Sequence, residues 1–239
     1  MYAAPMADGG THQRFRERWQ QHGALAMGLP MWTHMTRYQQ FDALTPEEQG
    51  LPDELGAMLA TSRYGGVGAI WFESAEELAA VMADPDVQVM VADEIETFGR
   101  ALAESLVPCT PETVIAPREE AAVVLLGQVW RRPELERSEF AERWRDHGRR
   151  FAADGDVTRH LSYYVQNHAL SDIDGADGFV EIGFPSTAAL AAFLVEPAIG
   201  GELAEREARF LRPEALELLV CRERQVYDEQ SVRTVEAIA

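Results

Sequence analysis

The sequence predicts an α+β fold: two ferredoxin-like β-α-β-β-α-β units in one chain, packed as an internal pseudo-dimer. Three observations carry this. Residues 15–23 read Phe-Arg-Glu-Arg-Trp-Gln-Gln-His-Gly and residues 140–148 read Phe-Ala-Glu-Arg-Trp-Arg-Asp-His-Gly, a shared F-x-E-R-W-x-x-H-G. The agreement continues in step: His34, Thr36, Tyr38 and Gln40 stand against His160, Ser162, Tyr164 and Gln166, and Phe72 and Ser74 against Phe184 and Ser186. Pro85 then pairs with Pro197, and Phe98 with Phe210. Finally, each copy switches between strand-like and helix-like apolar spacing in the same order. Self-similarity over this length marks a duplicated unit.

Local signals justify each element. In the first copy, residues 1–7 are the only candidate for an opening strand, and Pro5 confines it to an edge or an irregular piece. Phe15, Trp19 and His22 lie at i, i+4 and i+7, one face of a helix, with Thr11 as its start and Gly28-Leu29-Pro30 as its stop. Residues 34–40 and 67–72 read as strands, and the extra residues of this copy lie within 41–63. Ser74 caps a helix over 75–82. Further helix covers 87–106, and a closing strand falls near 113–116. In the second copy the strand at 121–130 is bounded by Pro133, and the helix of Phe140, Trp144 and His147 runs from Ser138 towards Gly155. Strands at 160–166 and 179–184 follow. A helix over 187–194 is capped by Ser186, with more helix at 200–210 and a strand at 215–227. The units are then 1–117 and 118–228, followed by a tail at 229–239.

Composition narrows the function. Asp and Glu number 40 against 21 Lys and Arg, a formal charge of −19. That charge opposes nucleic acid and anionic membrane as partners. No apolar run approaches the ~20 residues that span a bilayer, and no signal peptide is visible. Two cysteines make no disulfide framework. The expectation is a cytoplasmic protein with a small-molecule substrate, compatible with further homodimerisation of the fused chain.

The order of these segments resembles the EthD family of the dimeric α/β barrel superfamily. The residues that carry the resemblance are the helix with F-x-x-x-W-x-x-H, the following strand with Tyr38, and the apolar strand passing through Ser74 into a Leu-Ala-rich helix. Ala92-Asp93-Glu94 with Phe98 is also similar to the acidic, aromatic segment late in such domains; in the second copy it becomes Ala204-Glu205-Arg206 with Phe210, a departure. The resemblance implies two units joined as an intrachain pseudo-dimeric α/β barrel. It also implies a chemistry drawn from cofactor-free monooxygenases, isomerases, dehydratases of aromatic polyketides or haem enzymes. Fold alone does not choose among them.

Two sets of residues carry candidate chemistry. His22 and His147 share the buried helix face with Trp19 and Trp144, as core residues or as pocket residues. Neutral imidazole titrates near working pH and can take or give a proton. Asp93 either orients His22 or His34 or lies on a solvated face. In the strand reading, His34, Thr36, Tyr38 and Gln40 share one side, as do His160, Ser162, Tyr164 and Gln166. Such a polar row lines a pocket, forms a seam between sheets, or faces solvent. The copies diverge at Trp71 against Gly183 and at Ala69 against Glu181, the places where one copy would specialise. Catalytic candidates are therefore His22, His147, His34, His160, Tyr38 and Tyr164; substrate-binding candidates are Trp71, Thr36, Ser162, Glu181, Trp19 and Trp144. No metal site and no cofactor is expected, since nucleotide, phosphate-loop and H-E-x-x-H patterns are absent.

These residues predict an enzyme acting on an apolar, aromatic or polyketide-like molecule by His-assisted dehydration, cyclisation, isomerisation or decarboxylation. The alternatives are a cofactor-free monooxygenase and a non-catalytic module that binds a hydrophobic small molecule.

Overall fold

A computed structural model of the protein describes residues 1–59, 63–102, 105–170, 175–212 and 216–229. Apart from Glu229, the tail expected at 229–239 lies outside them. In chain order the elements are β1 (Tyr2–Pro5), α1 (His12–Met27), a 3₁₀ turn (Pro30–His34), β2 (Arg37–Ala43), α2 (Pro46–Gln49), α3 (Asp53–Leu59), β3 (Tyr64–Trp71), α4 (Ala75–Ala83) and α5 (Val87–Phe98). Then follow β4 (Cys109–Ile115), β5 (Val123–Val129), α6 (Arg137–Ala153), α7 (Gly155–Thr158), β6 (Tyr163–Ala169), β7 (Gly178–Phe184), α8 (Thr187–Leu194), a π turn (Ile199–Leu203), α9 (Ala204–Glu207) and β8 (Glu217–Asp228). Among the described residues no single helix is long and apolar enough to cross a membrane.

The chain forms two compact units that are discontinuous in sequence. Unit 1 comprises Met1–Ala43, Arg63–Leu106 and Glu223–Ala239; unit 2 comprises Leu44–Ser62 and Val107–Arg222. This departs from the expected division at 117/118 in three ways. The closing strand of the first copy, β4, pairs with β6 in unit 2, Glu112 opposite Gln166. Pro111 within β4 has no N–H to donate, which suits this edge position. The insertion at 41–63 supplies α2 and α3, and Leu44 and Leu59 enter the core of unit 2. Strand β8 is divided, with Glu217–Arg222 in unit 2 and the rest in unit 1.

In unit 1 the strand order is β1-β3-β2-β8, with β3 antiparallel to both β1 and β2. β1 is an edge strand whose register shifts between Ala4 and Pro5, as Pro5 predicts. Thr11 caps α1 by accepting from the Arg14 backbone N–H at 3.2 Å. Helix α1 buries Phe15, Trp19, His22, Gly23 and Ala26. The large Trp19 ring reaches the sheet because β3 carries a glycine beneath it: a Cβ on Gly66 would lie 2.5 Å from the Trp19 ring and 2.3 Å from the Phe41 carbonyl oxygen.

Unit 2 orders its strands β8-β5-β7-β6-β4. Helix α6 buries Phe140, Trp144, His147, Gly148 and Phe151, and Gly178 lies under Trp144 as Gly66 lies under Trp19. Two local expectations are corrected. Glu136, not Ser138, precedes the first turn of α6. Gly155 does not stop a helix but opens α7, whose N–H groups at Asp156 and Val157 bond to the Asp154 carboxylate. Ser74 and Ser186 cap α4 and α8 as predicted, accepting from Glu77 N–H at 3.2 Å and Ala189 N–H at 3.1 Å. Cys109 and Cys221 are not joined in a disulfide.

Candidate functional site

Unit 1 contains an apolar cavity of about 110 Å³. Ala26 on α1, Ile70 on β3, Val81 on α4 and Val87 and Met90 on α5 give it apolar walls, with Met31 from within the 3₁₀ turn and Met35 just after it. Met82, also in the lining, is 45% exposed. Its polar side chains are Tyr2, His22, Trp32, Tyr38 and Glu94. A few polar groups converging in an apolar pocket are the usual form of a small-molecule site.

His22 is held by a carboxylate. Its Nδ1 lies 2.7 Å from Asp93 Oδ2, and the residue is 4% exposed. Burial alone would raise the Asp93 carboxyl, but hydrogen bonds from Arg18 at 2.8 Å and from His22 outweigh it and hold Asp93 below the usual carboxylate range. An ionised carboxylate only accepts, so Nδ1–H of His22 donates and Nε2 keeps its lone pair. Burial lowers the His22 pKa from its ordinary value, with Asp93 opposing the shift. Glu94, the next residue, also lines the cavity. Burial raises its carboxyl, and the Asp93 charge adds to this against a 2.8 Å hydrogen bond from Leu102 N–H.

Tyr38 belongs to a buried network with Tyr2. The two hydroxyls are 2.9 Å apart, Gln40 Nε2 donates to Tyr38 at 2.6 Å, and Trp19 Nε1 donates to Tyr2 at 3.4 Å. Arg224 donates to Gln40 Oε1 and, at 3.1 Å, to Asp42. Burial raises both tyrosine pKa values, so both hydroxyls stay protonated and act as donors. One hydroxyl hydrogen serves the Tyr2–Tyr38 bond, and the other is not used in that network.

Unit 2 places similar residues around α6 and carries larger apolar side chains at two matching positions. Tyr164, Gln166 and Trp144 reproduce the network, with Gln166 Nε2 donating to the Tyr164 hydroxyl at 2.8 Å and to the Trp144 carbonyl at 2.9 Å. At the position matching Ala26, however, stands Phe151, its ring 5.0 Å from Tyr164 and 6.0 Å from Phe193. Phe193 itself matches Val81. His147 is oriented differently from His22: its Nε2 is 3.2 Å from Glu207, and its Nδ1 has no hydrogen-bond partner among the described residues.

Several expected site residues fall elsewhere. His34 ends the 3₁₀ turn instead of lying in β2, and its Nδ1 meets Glu77 at 2.5 Å in a half-exposed pair. His160 likewise precedes β6 and pairs with Glu196 at 2.8 Å. Both histidines tie a turn to a helix end. Thr36 also precedes β2, its backbone N–H bonded to the Trp71 carbonyl. Ser162 is fully buried, and its hydroxyl lies 3.5 Å from the Glu120 carbonyl. The expected polar row is thus shortened to Tyr38-Gln40 and Tyr164-Gln166, facing the helices. Trp71 lies outside the cavity lining, under the Arg37 guanidinium at 5.7 Å and bonded to Gln39. Gly183 opens no space, because Tyr163 packs on it. Glu181 accepts from the Tyr163 hydroxyl at 2.9 Å. Trp19 and Trp144 are buried scaffold residues outside the lining. At the cavity the copies differ at Ala26/Phe151 and Val81/Phe193; the two expected pairs, Trp71/Gly183 and Ala69/Glu181, differ as well but contribute nothing to its lining. Sequence reasoning missed Tyr2, Trp32 and Glu94. A Trp set in a Pro-started turn between two methionines was the available signal for Trp32.

Among the described residues no group of three or more His, Cys, Asp or Glu stands together to hold a metal. Residues 7–99 match the model of the EthD domain, and His22, Tyr38 and Asp93 fall inside the matched segment. No curated protein matches the chain. Among solved structures, an anthrone oxidase-like protein is 15% identical over 82% of this chain and 94% of its own, with a TM-score of 0.49. A candidate monooxygenase from Lactobacillus acidophilus NCFM is 11% identical over 92% and 90%, with a TM-score of 0.47. Another from Fusobacterium nucleatum is 7% identical over 94% and 89%, with a TM-score of 0.45.

Proposed function

With residues 7–99 matching the EthD domain, we propose that the protein is a small-molecule enzyme whose one working cavity lies in unit 1. It acts on an apolar, aromatic or polyketide-like substrate by acid–base chemistry, in a tandem chain whose second copy has Phe151 and Phe193 where the unit 1 cavity has Ala26 and Val81. The observation that carries this is the His22–Asp93 pair at 2.7 Å, with His22 lining the apolar cavity.

His22 Nε2 takes a proton from carbon next to a carbonyl. The resulting imidazolium is paired with Asp93, and the spare hydroxyl hydrogen of Tyr2 and Tyr38 stabilises the enolate oxygen. Return of the proton elsewhere isomerises the substrate; loss of a β-hydroxyl dehydrates it; attack on a second carbonyl cyclises it. Proton removal by His22 is the common step and draws on no metal or organic cofactor. The same step also opens cofactor-free oxygenation, and the apolar walls favour this second reading by admitting dioxygen.

Exchange of the α-hydrogens of 1-indanone for deuterium, followed by NMR, tests the common step without knowledge of the natural substrate. Catalysed exchange that is lost in His22→Ala is the expected result. Binding without catalysed exchange would leave a non-catalytic binding module in place of the enzyme. Consumption of oxygen with turnover selects the second reading.

A further inference from the structure

One donor in the unit 1 cavity is left over by the chemistry above. Trp32 lines the cavity and is 6% exposed. Its Nε1–H has no hydrogen-bond partner among the described residues. Trp32 sits in the 3₁₀ turn Pro30–His34, edge-on to Tyr38 at 5.4 Å and to Tyr227 at 5.8 Å. An indole N–H only donates, and a buried donor without an acceptor is costly to maintain. In unit 2 the matching residue is Thr158, so the indole is peculiar to the copy that has the cavity.

We propose that Trp32 Nε1–H is a ligand-binding group that anchors an oxygen of an aromatic ketone or phenol, and so sets the specificity of this cavity. The ligand class follows from the surroundings. Trp32 and the spare tyrosine hydrogen are both donors, so the complementary ligand atom is an acceptor. The walls are apolar, and a space of about 110 Å³ is on the scale of a single aromatic ring. This inference rests on reading the unit 1 cavity as the ligand site, but not on His22 acting as a base.

The test uses the ¹⁵N-labelled full chain with 1-indanone and its oxygen-free counterpart indane. The chain has five tryptophans, and the indole signal lost in Trp32→Phe identifies Trp32. Expected is a downfield shift of the Trp32 indole proton with 1-indanone and none with indane. Trp32→Phe should weaken 1-indanone by about tenfold and leave indane within about twofold. Equal effects of the two probes on the Trp32 signal, or an unchanged preference for 1-indanone in Trp32→Phe, would overturn the proposal. If the variant does not fold, sequence-specific assignment of the wild-type spectrum identifies the Trp32 indole, and its response to the two probes decides. Binding of neither probe overturns both the proposal and the cavity reading. A Trp32 shift without His22-dependent proton exchange supports the proposal and removes the enzymatic one.

Discussion

Ala26 follows His22 on the buried face of α1 at the same spacing at which Phe151 follows His147 on α6. Ala26 borders a cavity, whereas Phe151 is 4% exposed and packed among aromatic rings. Replacing Ala26 by Phe should fill the unit 1 cavity from within. The expected result is loss of 1-indanone binding by at least tenfold, with a stability change inside the about 1–3 kcal/mol typical of small-to-large changes. Calorimetric titration and urea unfolding check the two parts. Unchanged binding would show that the ligand sits elsewhere.

The acid limb of the proton-exchange rate should report His22. Its pKa is lowered by burial, so the imidazole is neutral at pH 7 and takes up its proton at lower pH than an ordinary histidine. The rate should therefore drop at a lower pH than an ordinary histidine would set. Asp93→Asn removes the charge that partly opposes this lowering. It should move the inflection further down and reduce the rate by about 10²-fold or more. A pH–rate profile on both proteins checks this. An inflection above 6.5, or an Asp93→Asn rate equal to wild type, would contradict the role of the pair.

His168 should couple stability to pH in unit 2. It packs 4.4 Å from Trp144, and burial, helped by the Arg145 charge, pushes its pKa down to about 4. The unfolded chain takes up this proton near 6.5, whereas the folded protein resists until about 4. Stability is therefore full above pH 6.5 and falls as pH drops towards 4, by up to about 3 kcal/mol from this residue. His168→Gln should flatten that part of the urea-unfolding profile. Parallel profiles for the two proteins would remove the assignment.

Gly66→Ala should destabilise unit 1, since its Cβ meets both the Trp19 ring and the Phe41 carbonyl oxygen. Backbone and a fully buried indole have little room to yield. A cost of about 1–3 kcal/mol or more is expected by urea unfolding. A change under about 0.5 kcal/mol would show that the strand and helix can part at no cost.

Periodicity located α1 and α6, and Ser74 and Ser186 located α4 and α8, because helix faces and caps are local properties. The same faces brought His22 to the site, and Asp93 entered as one of two orientations that the sequence left open. Tertiary choices were not legible. Nothing local in Cys109–Ile115 says that it pairs with β6, and only Pro111 marks it as an edge. His34 and His160 read as strand residues because alternation extends past the strand ends, where turn geometry and a carboxylate take over. Ala26 and Phe151 are both apolar on an apolar face, so a cavity and a filled core give the same pattern. Tyr2 had no partner in the repeat by which to be recognised.

In the proposed mechanism His22 of unit 1, and not His147 of unit 2, removes the proton. Deuterium exchange of 1-indanone measured side by side in His22→Ala and His147→Ala tests it most directly. The account predicts a loss of about 10²-fold or more for His22→Ala and a rate within about threefold of wild type for His147→Ala. Equal losses in the two variants, or loss only in His147→Ala, would contradict it.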